Sequence, residues 1–233
     1  MGYALLIDFG STFTKVAVID IAKAEIIGTA KAHTTVNSNI MDGLKEAIAE
    51  LPFIPESFEY KAACSSAAGG LKMVAVGLVK DLTAEAARRA ALGAGARVLD
   101  VFSFELTKGD IEKISALQPD IILLAGGTDG GNKEILLKNA KTLCKIPFNV
   151  PIVIAGNKVV AHEAAEILQS THTPVKVAGN VMPELGVLKV EEARCAIREL
   201  FLQQIVQAKG LNLAEELAGQ VLMPTPTAVL KAA

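Results

Sequence analysis

The sequence predicts an α/β protein: an antiparallel or mixed sheet at the start, then an alternating β/α region on a mostly parallel sheet. Three observations carry this. Residues 3–34 contain three closely spaced strand-like runs with short links. From about residue 83 to residue 178, short apolar runs alternate with helical stretches, which is how parallel strands joined by crossover helices read. The 233 residues are 51% hydrophobic but only 4% aromatic, so Ala, Val, Ile and Leu must fill a sizeable core.

The elements follow in order. Residues 3–9 and 13–20 read as two strands, and the short Gly-Ser-Thr link makes them a hairpin. Residues 25–34 are a third strand. A helix is expected near 39–50, with Leu44, Ile48 and Leu51 on one face and Pro52 and Pro55 stopping it. Residues 59–66 and 71–79 are further strands. Thr83 is expected to cap a helix at 84–93, ended by Gly93 and Gly95. Strand 97–102 follows, and Thr107 with Asp110 opens a helix running to Gln118, just before Pro119. Strands at 120–125, 151–155 and 174–178 then alternate with helices at 132–143 and 158–170. A long amphipathic helix is expected over 190–208 and another helix over 213–222; Pro224 and Pro226 mark a boundary.

Several function classes are excluded. The net charge is −2 and Lys and Arg form no dense cluster, so no nucleic-acid partner is expected. No apolar run reaches the roughly 18 residues that span a bilayer, so no membrane partner is expected either. The start enters a strand pattern directly, without a basic region and cleavage site. Cys64, Cys144 and Cys195 make no CxxC pair, and three cannot all pair within one chain. Buried, reduced thiols in a cytoplasmic protein fit best. His33, His162 and His172 lack the spacing of a metal site.

The stretch LLIDFGSTFTK, residues 5–15, places one carboxylate, one glycine, three hydroxyls and one ammonium around a tight bend. Gly10 lets the backbone approach a ligand. Ser11, Thr12 and Thr14 offer hydroxyls and Lys15 a positive charge, a set that suits a phosphate. Asp8 would repel that phosphate unless Mg²⁺ lay between them, so Asp8 is expected to hold a hydrated metal or orient the attacking water. The alternative is a surface hairpin with a polar tip. No GxxxxGK[ST] and no Rossmann glycine fingerprint occurs. Further along, ILLAGGTDGGN, VIAGNK and KVAGNV each end a strand in Ala-Gly followed by Gly or Asn. Ligands bind outside the carboxyl ends of parallel strands. Thr128, Asp129, Asn132, Asn157 and Asn180 are therefore expected to gather on one rim, and Gly126, Gly127, Thr128, Asp129 and Asn132 are candidates for binding the cofactor, unless they are ordinary turn residues.

The pattern D-x-G-S-T-x-T-K between antiparallel strands resembles the first phosphate element of the actin, Hsp70 and sugar-kinase superfamily of ATPases. The longer strings CSSAAGGLKMVAVGLV, LTAEAARRAALGAGARV, ILLAGGTDGGN and MPTPTAVLKAA resemble the MutL-like accessory proteins of glutamate mutase, not the mismatch-repair proteins of similar name. This resemblance implies an actin-like (ribonuclease H-like) fold, ATP and Mg²⁺ as cofactors, and a role in protecting or reactivating an adenosylcobalamin-dependent aminomutase as protein partner. It places Asp8, Gly10, Ser11, Thr12, Thr14 and Lys15 at the nucleotide; Ser65, Ser66, Gly69 and Gly70, which follow the carboxyl end of a strand, are expected to border its cleft. It also implies a second half after residue 233, without which catalysis should be weak or absent. The expected divisions are a phosphate-hairpin subdomain at 1–80, an alternating region at 81–180 and a helical segment at 181–233.

Two other functions fit the residues. A small-molecule kinase of the same superfamily would need a base, and Asp129 is available for it. A non-catalytic binding module is the third: the rhythm of 97–178 is similar to cobalamin-binding flavodoxin-like domains, although their DxHxxG motif is absent. An iron–sulfur activator has poor support from three scattered cysteines.

Overall fold

The computed structural model describes residues 2–10, 12–35, 40–65, 71–92, 94–208 and 221–225. They form two compact units, Met1–Gly70 with Phe201–Ala233 and Leu71–Leu200.

The first unit is built on a five-stranded mixed sheet. Strands β1 (Tyr3–Phe9), β2 (Phe13–Asp20) and β3 (Glu25–His33) run antiparallel in sequence order. Strand β4 (Tyr60–Ser65) then pairs parallel to β1 on its other side. The order is completed by β10 (Val221–Pro224), parallel to β4, giving β10-β4-β1-β2-β3. Alternation decides the faces. Leu5, Ile7, Phe9, Val16 and Val18 point one way and are buried. Helix α1 (Ile40–Ala49) lies against β2 and β3, burying Met41, Leu44 and Ala47. Leu6, Asp8, Lys15 and Ala17 point the other way.

The second unit is an all-parallel sheet in the order β6-β5-β7-β8-β9. Its strands are β5 (Leu71–Gly77), β6 (Ala96–Ser103), β7 (Ile121–Leu124), β8 (Ile152–Ile154) and β9 (Val175–Val177). Helices α2 (Lys80–Ala91), α3 (Lys108–Leu117), α4 (Glu134–Leu143) and α5 (Ala161–Gln169) connect them, and α6 (Glu191–Ala208) follows. Counted along the chain, this is the 2-1-3-4-5 order of doubly wound, flavodoxin-like sheets. Every residue of β7 and β8 is buried, as expected of strands covered on both faces. The α2 stripe of Ala86, Ala87, Ala90 and Ala91 brings that helix close to β5 and β6.

The fold class therefore stands as expected, with an antiparallel start giving way to alternating parallel β/α units. Three local expectations need correction. Helix α2 begins at Lys80, with Val79 in the cap position, so Thr83 lies inside it rather than capping it. The reason is packing: Thr83 is buried beneath Gly77, where a Cβ would meet its Oγ1 at 2.3 Å. Of the helix expected over 213–222, residues 213–220 lie outside the described residues, and residues 221–224 form β10 instead. The run 71–79, grouped with the first subdomain at 1–80, supplies β5, whose partners are β6 and β7 of the parallel sheet. Along the sequence, the compact units divide at 70/71 and 200/201.

Among the described residues, no helix is long and apolar enough to cross a membrane.

Candidate functional site

Asp8 is the penultimate residue of β1. Its register partners are Lys15 on β2 and Cys64 on β4. Residues paired across a sheet point to the same face, so this register alone brings a carboxylate, an ammonium and a thiol together. Lys15 Nζ lies 3.5 Å from Asp8 Oδ2. Cys64 Sγ donates to Asp8 Oδ1 at 3.4 Å, and Thr225, just past the end of β10, donates its hydroxyl to the same oxygen at 2.8 Å. The cluster sits at the carboxyl ends of the parallel strands β1, β4 and β10. Burial pushes the Cys64 thiol up from its ordinary value; Thr225 opposes that, and the Asp8 charge adds to it. The thiol therefore stays protonated at neutral pH and serves as a donor rather than a nucleophile.

The rest of the opening stretch divides by face. Gly10 closes the turn: its N–H reaches the carbonyls of Asp8 and Phe13, both at 3.1 Å. A Cβ there would meet Phe13 O at 2.6 Å, so glycine is required by the bend itself. Thr12 is exposed, and its carbonyl accepts from Thr34 N at 2.9 Å. Thr14 is fully buried on the core face, with its hydroxyl 3.1 Å from that of Thr34. It is not brought to Asp8 and Lys15. Ser11, Ser66, Gly69 and Gly70 lie outside the described residues. Ser65 ends β4, in register with Phe9 and Pro224.

The strand-end residues of the second unit do come together, but their side chains are committed to one another. Buried Asn157 accepts from the N–H groups of Gly130 and Val159 and donates to the carbonyls of Gly131 and Asn132. Asn180 donates to Gly127 O and Asp129 Oδ1 and accepts from Met182 N. Asn132 accepts from Ile135 N in the first turn of α4. Asp129 accepts from Lys158 N and faces Lys158 Nζ at 3.4 Å. Burial pulls the Asp129 carboxyl upward, but Asn180 and Lys158 outweigh it and hold it below its ordinary value. A carboxylate held in this way is a weak base, which counts against the kinase reading that would enlist it. Gly126 and Gly127 have φ of +130° and +73°, which L side chains rarely adopt.

Cys64 and Thr225 are the members of the Asp8 cluster that sequence reasoning missed. Cys64 had only its thiol chemistry to mark it, and Thr225 nothing but a hydroxyl after an apolar run. Cys195 is exposed, not buried as expected, while Cys144 is half-buried against the carbonyls of Ala140 and Ile167. Among the described residues, no three His, Cys, Asp or Glu gather as a metal site. Mg²⁺ is held by few carboxylates plus waters and phosphate oxygens, so the single Asp8 carboxylate with the Thr225 hydroxyl fits a hydrated ion. The adjacent Lys15 ammonium repels a bare cation and attracts a phosphate. The donor set therefore fits a metal–phosphate pair better than a metal alone.

Fold and cluster together define an α/β protein whose mixed sheet carries an acid–ammonium pair at its strand ends. The chain belongs to the MutL protein family, whose model matches residues 4–233. It is 54% identical over 233 residues to Protein MutL of Clostridium tetanomorphum, covering 98% of this chain and 50% of that protein. The chain thus spans about half the length of the curated relative it matches. Two solved structures were also matched at 11% identity. The activator of the 2-hydroxyisocaproyl-CoA dehydratase from Clostridium difficile with bound ADPNP covers 88% of this chain and 97% of its own, with a TM-score of 0.22. Ethanolamine utilization protein EutJ from Carboxydothermus hydrogenoformans covers 86% and 90%, with a TM-score of 0.21.

Proposed function

We propose that this chain is the nucleotide-binding N-terminal half of an ATPase that protects or reactivates an adenosylcobalamin-dependent aminomutase of the glutamate mutase type. The observation that carries the nucleotide part is the pairing of Asp8 and Lys15 on adjacent strands, beside Thr225 and the bend at Gly10. An exposed ion pair of this kind contributes only roughly 0.2–1 kcal/mol to stability, so stability alone gives little reason to place it there. A phosphate would engage Lys15 and Thr12, while Asp8 would hold the hydrated Mg²⁺ that offsets its own charge. When bound, Mg²⁺ would neutralise charge on the phosphate oxygens. The partner part rests on membership of the MutL family and on the resemblance of its long strings.

Calorimetric titration of Mg-ATP into the chain tests the nucleotide part. Binding is expected, with at least a tenfold loss in Asp8→Ala and in Lys15→Ala. Equal binding by wild type and both variants would place the nucleotide elsewhere. For the partner, a turnover-inactivated aminomutase should regain activity with ATP and the full-length family protein, and Asp8→Ala should abolish the recovery. Recovery independent of ATP would overturn that part.

A further inference from the structure

Beyond the Asp8 cluster, the second unit carries a pocket of its own. In a 2-1-3-4-5 sheet the connections leave the first and third strands toward opposite faces, and the crevice opened at their carboxyl ends is where such folds bind ligands. Here those strands are β5 and β7. Leu78 and Val79 follow β5; Ala125, Gly126 and Gly127 follow β7; all five line one half-open pocket of about 80 Å³. Leu82, Ala86, Val181, Met182 and Leu185 add apolar walls and Thr83, Thr128 and Asn180 polar ones; among the described residues no ionisable side chain lines it.

The amide at the pocket's edge is already committed. Asn180, the pocket's polar side chain of greatest hydrogen-bonding capacity, is spent on Gly127 O, Asp129 Oδ1 and Met182 N. Asp129 stands beside it and is already paired with Lys158, whose ammonium lies 3.4 Å away and so is not spare for an anion. The apolar groups, by contrast, are left in water: Leu185 is 81% exposed and Val79 43%. Apolar surface of this kind gains by being covered. The volume is about half that of the roughly 150 Å³ cavity that takes up benzene, so a ring enters this half-open pocket by one edge, with the remainder outside.

We infer that the carboxyl ends of β5 and β7 form a second ligand site, selective for an uncharged apolar group of ring size, distinct from the phosphate chemistry of Asp8 and Lys15. Gly126, Gly127 and Thr128 then belong to this site and not to a nucleotide cradle.

The test uses fluorobenzene, 4-fluorobenzoate and inorganic phosphate as probes of the whole chain, read by fluorine line broadening and by amide shifts of Gly126, Gly127 and Thr128. Fluorobenzene should bind and shift those amides, and 4-fluorobenzoate and phosphate should bind at least tenfold more weakly there. Leu185→Asp, a change at an exposed position that leaves the core intact, should weaken fluorobenzene at least fivefold with an unchanged circular dichroism spectrum. Ala86→Leu, which narrows the pocket from the α2 side, should do the same, and its melting temperature reports whether the helix still packs. Three results would each overturn the inference: absence of fluorobenzene binding, equal binding of the charged probes at these amides, or undiminished binding in Leu185→Asp.

Discussion

At the residue scale, charge placement separates the two rims. Asp8 shares its face with one ammonium and two donors, whereas Asp129 is gripped by Asn180, by the Lys158 backbone and by the Lys158 side chain. Because these contacts lower the Asp129 pKa on folding, they stabilise the chain above the unfolded value of about 3.9. That contribution is lost as pH falls through the lower, folded value. Asp129→Asn should therefore cost about 1–2 kcal/mol at pH 7, where the hydrogen bonds to charge weaken. The gap to wild type should shrink toward pH 3. Urea midpoints at both pH values check this; a gap that is constant with pH would mean the charge is not what Asp129 contributes. The opening motif made Asp8 and Lys15 legible as a pair, since two strands linked by a tight turn fix their own register. Cys64 and Thr225 were not legible, because they reach Asp8 from 56 and 217 residues away through parallel pairings that no local pattern encodes.

At the element scale, local chemistry explains which ends were legible. Helix α3 was read correctly from Thr107, Asp110 and Pro119. Thr107 accepts from Asp110 N at 3.2 Å and the Asp110 carboxylate accepts from Thr107 N at 2.9 Å, a complete capping box. Gln118 closes the helix in the left-handed conformation, with φ of 44°. Thr107→Ala should cost about 1 kcal/mol, and Thr107→Asn should restore most of it. Equal midpoints for wild type and Thr107→Ala in a denaturant melt would show that the box is ornamental. Helix α2 was misread by the same rule, because Thr83 also resembles a cap. There the chain continues helical one turn earlier, and the side chain that would have capped is packed under Gly77. Buried Asn139 works at this scale too: it donates to Phe104 O and accepts from Leu106 N, holding the loop between β6 and α3 where Phe104 has φ of 62°.

At the scale of the whole molecule, the chain leaves one sheet, builds another and returns. Strand β4 ends at residue 65, β10 begins at residue 221, and the two pair directly, with the whole parallel unit lying between them in sequence. Sequence reading saw the change from antiparallel to alternating grammar but not the return, because the apolar residues 221–223 continue a helical rhythm and only pairing with β4 makes them a strand. An insertion of this kind must carry its own core, since nothing in the sheet it interrupts can supply one. The second unit does: Val74, Val76, Ile114, Ile122, Leu124, Ile152, Ile154 and Leu168 are all buried in one cluster. Its length falls within the usual range for a domain that folds alone. Residues 71–200 expressed by themselves should therefore melt in a single cooperative transition, with coincident near- and far-ultraviolet circular dichroism. A broad or non-coincident transition would mean that the parallel sheet depends on the strands flanking it in sequence, and that the two units fold as one.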